Sequence, residues 1–499
     1  MTYLPQSSVG ISDGANLDAF SRLRVSTPTY VFDAQFTYDL QPQIYEDVST
    51  DGGAGTATIT HDSTNRCALM TFTGAGSGAS AYLQTYEYLR YQPGRSQLCF
   101  ITFNFIETKA NCTKFAGYSD GVNGIELQQA GSTVQLVLYS GTGNGNQTKT
   151  QSADWNLDKL NGAGGSANPS GVTLDLTKAQ ILVIDLQALY VGRVRVGFDI
   201  GGQIIYVHQF NHSNLIVTPY IQNANRPIRC GMITTAGSVS TTMNFICASV
   251  ISEGGSDLPS YEFSQDNGTG AGASLTQDTR VHLLTIRPLT TFNGVTNRVK
   301  FDLQGVEATV TSGANGAYWE LLLGYWVNPP NTFTAVSSGY SAFEYTITTT
   351  GGLTTAVSRT ATSGGAATLT DTSSVNWKTN NFAGCVLTIT GGTGSGQSRI
   401  IQSNTTTVLT VSKIWATPPD ATSTYSITNP TAYPICIASG YLGGGNTSRQ
   451  TTSSMAKTRA PIALNKLGYV SNQGSLTLVG AGIGGAAPTR ACLSWHEDR

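Results

Sequence analysis

Short apolar runs, each closed off by glycine, asparagine or proline, follow one another through almost the whole 499-residue chain, and helical periodicity is nearly absent. In the first half they fall at 30–40, 56–61, 68–73, 81–89, 97–107, 125–128, 133–139, 180–186, 193–200, 203–210, 228–233 and 243–251. Several alternate strictly, as in Arg193-Val194-Arg195-Val196-Gly197-Phe198, the period-two pattern of a strand with one buried and one wetted face. So many short strands joined by polar turns specify an all-β fold, and at this length a two-sheet, jelly-roll-like β-sandwich over residues 29–255.

The second half repeats the pattern after a Gly/Ser/Asp-rich linker at 256–274. Strands at 281–286, 298–303, 307–311, 318–326, 333–336 and 342–348, then 433–440, 462–467, 475–479 and 491–495, predict a second β-sandwich built from 275–352 and 430–499. Between its halves lies a self-contained small β module, 353–429. Its own apolar set includes Trp377, Phe382, Leu387, Ile389, Ile401, Leu409 and Trp415, and glycine pairs and prolines mark its edges. Insertions of this kind are tolerated at exposed loop tips of a folded host.

Composition fits the same class. Charged residues make up 12% of the chain, about half the ~25% of an average soluble protein, and 56 glycines serve the many turns. A net charge of -2 without clustered Lys or Arg gives no footprint for nucleic acid. The longest apolar stretch, 181–191, is broken by Asp185 and Gln187, so no membrane partner is expected. The opening MTYLPQSS has neither the basic nor the apolar region of a signal peptide, which predicts synthesis and folding in a cytoplasm. Eight cysteines stand singly, several inside apolar runs, and read as buried free thiols.

Two glycine patterns mimic nucleotide motifs. Gly391 to Ser398 has phosphate-loop spacing, but Gln397 stands where the lysine is needed and strands flank it on both sides. Gly480 to Gly485 fits G-x-G-x-x-G, yet too few residues follow to build a βαβ unit. Both read as hairpin tips, and no cofactor is expected. His208 and His212 share a strand face without a nearby acid, which predicts no metal site. Asp154 and Asp158 flank Trp155 in a glycine-rich loop, and no nucleophile elbow is present, so no catalytic residue is assigned and the chain is read as a non-enzyme. Tyr82, Tyr86 and Tyr88 share one parity and, with Trp155, are the candidate aromatics for a glycan or an interface.

Several segments resemble known proteins. Trp377, Ala383-Gly384, the turn Gly391 to Arg399, Asn404-Thr405 and Asp420 to Tyr425 look like a small β repeat common in tailed-bacteriophage virion proteins. Asp18 to Ser26 with Phe32-Asp33, then Tyr91 to Ser96, Trp155 to Leu160, Gly192 to Phe198, His208-Gln209-Phe210 and Ser252 to Gly255 resemble, in order and spacing, a family of phage structural proteins. By layout, the first domain is similar to concanavalin-like lectin sandwiches. The resemblance implies a virion structural protein, an oligomeric component of the tail, collar or capsid exterior that acts through assembly and surface contact with other virion proteins. The alternative is a glycan-binding host-adsorption adhesin, followed by a polysaccharide depolymerase. Residues 1–28 are expected to form a docking arm onto a neighbouring subunit, carried by the alternating patch Phe20, Arg22, Leu23, Arg24 and Val25.

Overall fold

The computed structural model describes residues 17–19, 22–24, 27–187, 189–254, 260–268, 272–324, 333–347, 356–373, 377, 379–380, 382–428, 434–444, 449–453, 462–470 and 474–499. Among them there is no helix, and every sheet pairing between strands is antiparallel. The chain divides into two compact units, one of Met1–Leu40, Ala54–Gln84 and Leu89–Asp257, the other of Gln41–Gly53, Thr85–Tyr88 and Leu258–Arg499.

The first unit is a β-sandwich. One sheet runs in the order Gln203–Phe210, Val194–Ile200, Gln180–Leu186, Gln97–Asn104, Val239–Glu253, Cys67–Ala75 and Thr56–Asp62, with Pro28–Gln35 added alongside Val239–Glu253. The other contains, in order, Gln147–Thr150, Thr133–Tyr139, Gly124–Ala130, Cys112–Ser119, Ile228–Thr234 and Ser80–Thr85. Alternation decides what faces inward. Ile184, Val196, Cys99 and Val250 lie in register across the first sheet, and Leu83, Cys230, Ala116, Leu127 and Leu136 across the second, all buried. Shifting any of these strands by one residue would turn its polar set into the core, so the pattern fixes the register.

The second unit holds another sandwich. Tyr261–Asp266, Ala487–Asp498, Lys300–Val310 and Arg449–Ser453 form one sheet; Phe343–Thr346, Val281–Pro288, Leu476–Ile483, Gly316–Leu323 and Ile435–Leu442 lie side by side in the other. Ala487–Asp498 is buried at every second residue, from Ala487 through Leu493 and Trp495 to Glu497. Phe301 stacks on Trp495 at 5.7 Å. Glu497 is the one charge on that inward row, and it accepts bonds from Ser341 Oγ (2.5 Å) and the Ala342 amide (2.9 Å). A buried carboxylate is tolerable only with such partners.

The small module is a separate seven-stranded sheet with its own core of Trp377, Phe382, Leu387, Ile389, Leu409 and Trp415. Its first and last strands, Ala356–Thr360 and Thr424–Thr428, pair with each other, Ala356 opposite Thr428. The glycine-pair and proline edges read from sequence, Gly351-Gly352 and Pro430, lie outside the described residues.

Four sequence expectations are corrected. The run 462–467 is not a strand but a turn closed by an isolated bridge, Leu464 to Val470. Tyr45–Thr50 and Gln147–Thr150 are strands that mixed polarity concealed. Gly480 and Gly482 do not sit at a hairpin tip. They lie within the strand Leu476–Ile483, where a Cβ on Gly480 would come within 2.8 Å of Leu275, so close packing is what excludes a side chain. The Gly391–Ser398 turn does join two paired strands, and the Gln397 side chain closes it on Gly394 and Thr417 carbonyls.

Candidate functional site

Two polar clusters stand on the faces of the first unit that point away from its core. On the second sheet, Tyr82, Gly231, Phe115, Gln128 and Gln135 align in one cross-strand row, with Arg229, Gly117, Glu126 and Val137 in the next row of the same face. Arg229 lies over the rings of Tyr82 (4.4 Å) and Phe115 (4.5 Å). It donates from Nη1 to Glu126 Oε1 at 3.0 Å. Gln128 Nε2 donates to Glu126 Oε2 (2.9 Å) and to the Tyr139 hydroxyl (2.7 Å), while Gln135 Nε2 donates to Gln128 Oε1 (3.0 Å). Glycine makes room for this row: a Cβ on Gly231 would fall 2.1 Å from Tyr82 Cβ, and one on Gly117 would strike Glu126.

Burial grades outward across this network. Glu126 is 1% exposed and Arg229 8%, whereas Gln135 and Tyr139 are half-buried. Burial pulls the guanidinium of Arg229 down, but Glu126 and then Tyr82 hold it above its ordinary value, so it stays charged. Burial, with Glu126 beside it, pushes the Tyr139 phenol up to about 12, so that hydroxyl remains neutral. The arrangement is an ion pair with its charge enclosed, edged by amide and phenol groups that both donate and accept, next to an aromatic wall. Such a surface favours neutral ligands rich in hydroxyls and C–H faces.

The second cluster lies on the outer face of the first sheet. Asp185 is fully buried, and four groups converge on its carboxylate: Arg24 Nη2 (2.6 Å), Arg195 Nη2 (2.6 Å), Tyr206 Oη (2.7 Å) and Ser96 Oγ (2.9 Å). Arg24 also pairs with Glu253. The chain's own segment covers this face. Arg195 donates to the Leu17 carbonyl at 2.7 Å, Arg193 to the Ala19 carbonyl, and the Ala19 amide to Ser96.

This corrects one expectation. Arg195, on the row read as wetted, is 1% exposed because residues 17–19 lie over it. Within the described part of the docking arm, the arginines find their partners inside the same unit: Arg24 with Asp185 and Glu253, and Arg22 with Asp18 at 2.6 Å. Leu23 is half exposed and bridges to Leu17. Phe20 and Val25 lie outside the described residues.

The candidate aromatics do not form one row. Tyr82 belongs to the Arg229 network and is 5% exposed. Tyr86 and Tyr88 belong to the second unit, where Arg298 stacks over Tyr88 at 4.3 Å. Trp155 is buried, packs toward Phe198 and donates its Nε1 proton to the Lys149 carbonyl. Its flanking carboxylates shape local turns. Asp158 accepts from the Leu160 and Ser170 amides and from Asn168, and Asp154 accepts from Thr150, which lowers its carboxyl below the usual range. Burial drives His208 down to about 4, and His212 stacks on Tyr220 at 4.0 Å. All eight cysteines are free thiols, five of them buried. Sequence reading missed Arg229, Glu126, Gln128, Gln135 and Tyr139. Their one advance signal was the pair of glycines inside strand runs, at 117 and 231, which marks close side-chain or backbone approach.

No family model and no curated protein matches this chain. Among solved structures it is similar to a glycosyl hydrolase family protein from Mycobacterium fortuitum (12% identity, 44% of this chain and 99% of that one, TM-score 0.31). It is also similar to a carbohydrate esterase from Shiga toxin-encoding bacteriophage phi24B (11%, 45% and 99%, TM-score 0.28), and to a legume lectin-like domain from Entamoeba histolytica (10%, 44% and 97%, TM-score 0.26).

Proposed function

We propose that this chain is a bacteriophage virion surface protein that binds glycan through the Arg229–Glu126–Gln128–Tyr139 face of its first unit, without performing chemistry on it. The observation that carries the glycan reading is the network itself: an enclosed ion pair presenting amide and phenol groups at its half-buried edge beside Tyr82. The virion setting rests on the resemblance of the 18–33, 91–96, 155–160 and 192–198 segments to phage structural proteins. A binding role fits the way the ionisable groups are used. The carboxylates of Glu126, Asp185 and Glu497 are bound up in ion pairs and hydrogen bonds within the fold, and a general acid or base needs a proton-transfer partner on the substrate side.

A glycan array probed with the full chain tests this. Binding to a defined set of glycans is expected, with loss on Gln135→Ala and Tyr139→Phe while the melting transition is retained. No binding to any glycan overturns the reading. Release of reducing or unsaturated ends from a bound polysaccharide would replace it with depolymerase activity.

A further inference from the structure

The second unit contains a cavity of about 310 Å³ that the first-unit face does not explain. It falls within the ~300–1,000 Å³ span of small-molecule sites. Three strands or turns build it: Tyr45–Thr50, the module strand Ser398–Asn404, and the turn at 465–467. One element is braced against another, since the backbone amide of Lys466 donates to Glu46 Oε2 at 2.7 Å.

The lining is mixed in a specific way. Val48, Ile400 and the Tyr86 ring supply apolar surface, while Gln402 and Ser412 supply donors and acceptors with no formal charge. Two carboxylates, Glu46 and Asp47, line it with one lysine, Lys466, and Arg298 and Lys413 act on the same carboxylates from nearby. With these cations already engaged by Glu46 and Asp47, the lining gives little to draw a phosphate, sulfate or uronate. A purely apolar ligand would bury Gln402 and Ser412 without partners, at a cost. The chemistry that satisfies both halves is a ring with C–H faces and a rim of neutral hydroxyls.

We infer that this cavity, lined by Tyr86, Gln402, Ser412 and Glu46, is a second binding site that takes a neutral saccharide of one or two sugar units. Its lining shares no residue with the first-unit glycan face.

The test uses the full chain carrying Gln135→Ala and Tyr139→Phe, so that the first-unit face is disabled, and titrates it by saturation-transfer NMR. The probes are glucose, galactose, mannose, rhamnose, N-acetylglucosamine and their disaccharides, with glucuronate and glycerol as controls. Saturable binding of at least one neutral sugar, and of neither control, is expected. Gln402→Ala should weaken it at least tenfold, and Ile400→Arg, at a 44% exposed position where a longer charged chain would fill the cavity, should abolish it. No saturable binding of any neutral sugar, or binding that survives both substitutions in protein that still melts cooperatively, overturns the inference. Because the first-unit face is already disabled, failure here leaves the reading of that face untouched.

Discussion

Asp185 holds two guanidiniums, a phenol and a hydroxyl at a fully buried position, and the consequences of removing it are specific. Asp185→Ala strands Arg195, itself 1% exposed, without its counter-ion. Breaking one side of a buried pair costs about 3–5 kcal/mol, so the denaturant midpoint should fall by that equivalent, and a loss below about 1 kcal/mol would mean the cluster is solvated. Glu46 gives a pH signature. Burial raises its carboxyl from 4.5 to about 7. The folded state therefore binds that proton more tightly than the unfolded chain, so the stability present below pH 4.5 declines as pH rises through 7. Urea midpoints measured from pH 4 to 8 should show that decline in the native chain, and Glu46→Gln should flatten it. An identical pH profile in both proteins contradicts the assignment.

At the level of elements, the small module is the clearest separable part. Its core residues form a cluster distinct from that of the second sandwich, and its first and last strands pair side by side, the geometry that lets a passenger leave without stretching its host. Replacing residues 353–429 with a short Gly/Ser bridge should leave the host's thermal transition in place, whereas Leu409→Ala in the intact chain should cost the module about 2–5 kcal/mol by opening a cavity in its own core. Loss of the host transition on excision would show a shared core. Much of this was legible in the sequence, because strict alternation in runs such as 193–198 announces strands directly. The candidate face was not. Arg229 stands 103 residues from Glu126 in the chain, and it meets Glu126 and Gln128 only through strand register, which no local pattern encodes. Arg195 misled for a related reason: alternation says which residues leave the core, but not that a distant segment, 17–19, will cover them.

At the scale of the whole molecule, the chain carries few charges and pairs several of them inside the fold, consistent with recognition by shape and hydrogen bonding more than by long-range attraction. Binding should accordingly change little with ionic strength. An array-selected glycan whose affinity drops tenfold between 50 and 200 mM salt would signal an electrostatic mode instead. The most direct test of the central claim is amide hydrogen exchange on the full chain, with and without such a glycan. Slowed exchange is expected in Gly124–Ala130 and Thr133–Tyr139, the strands that carry Glu126, Gln128, Gln135 and Tyr139; protection that leaves both strands unchanged would contradict the account.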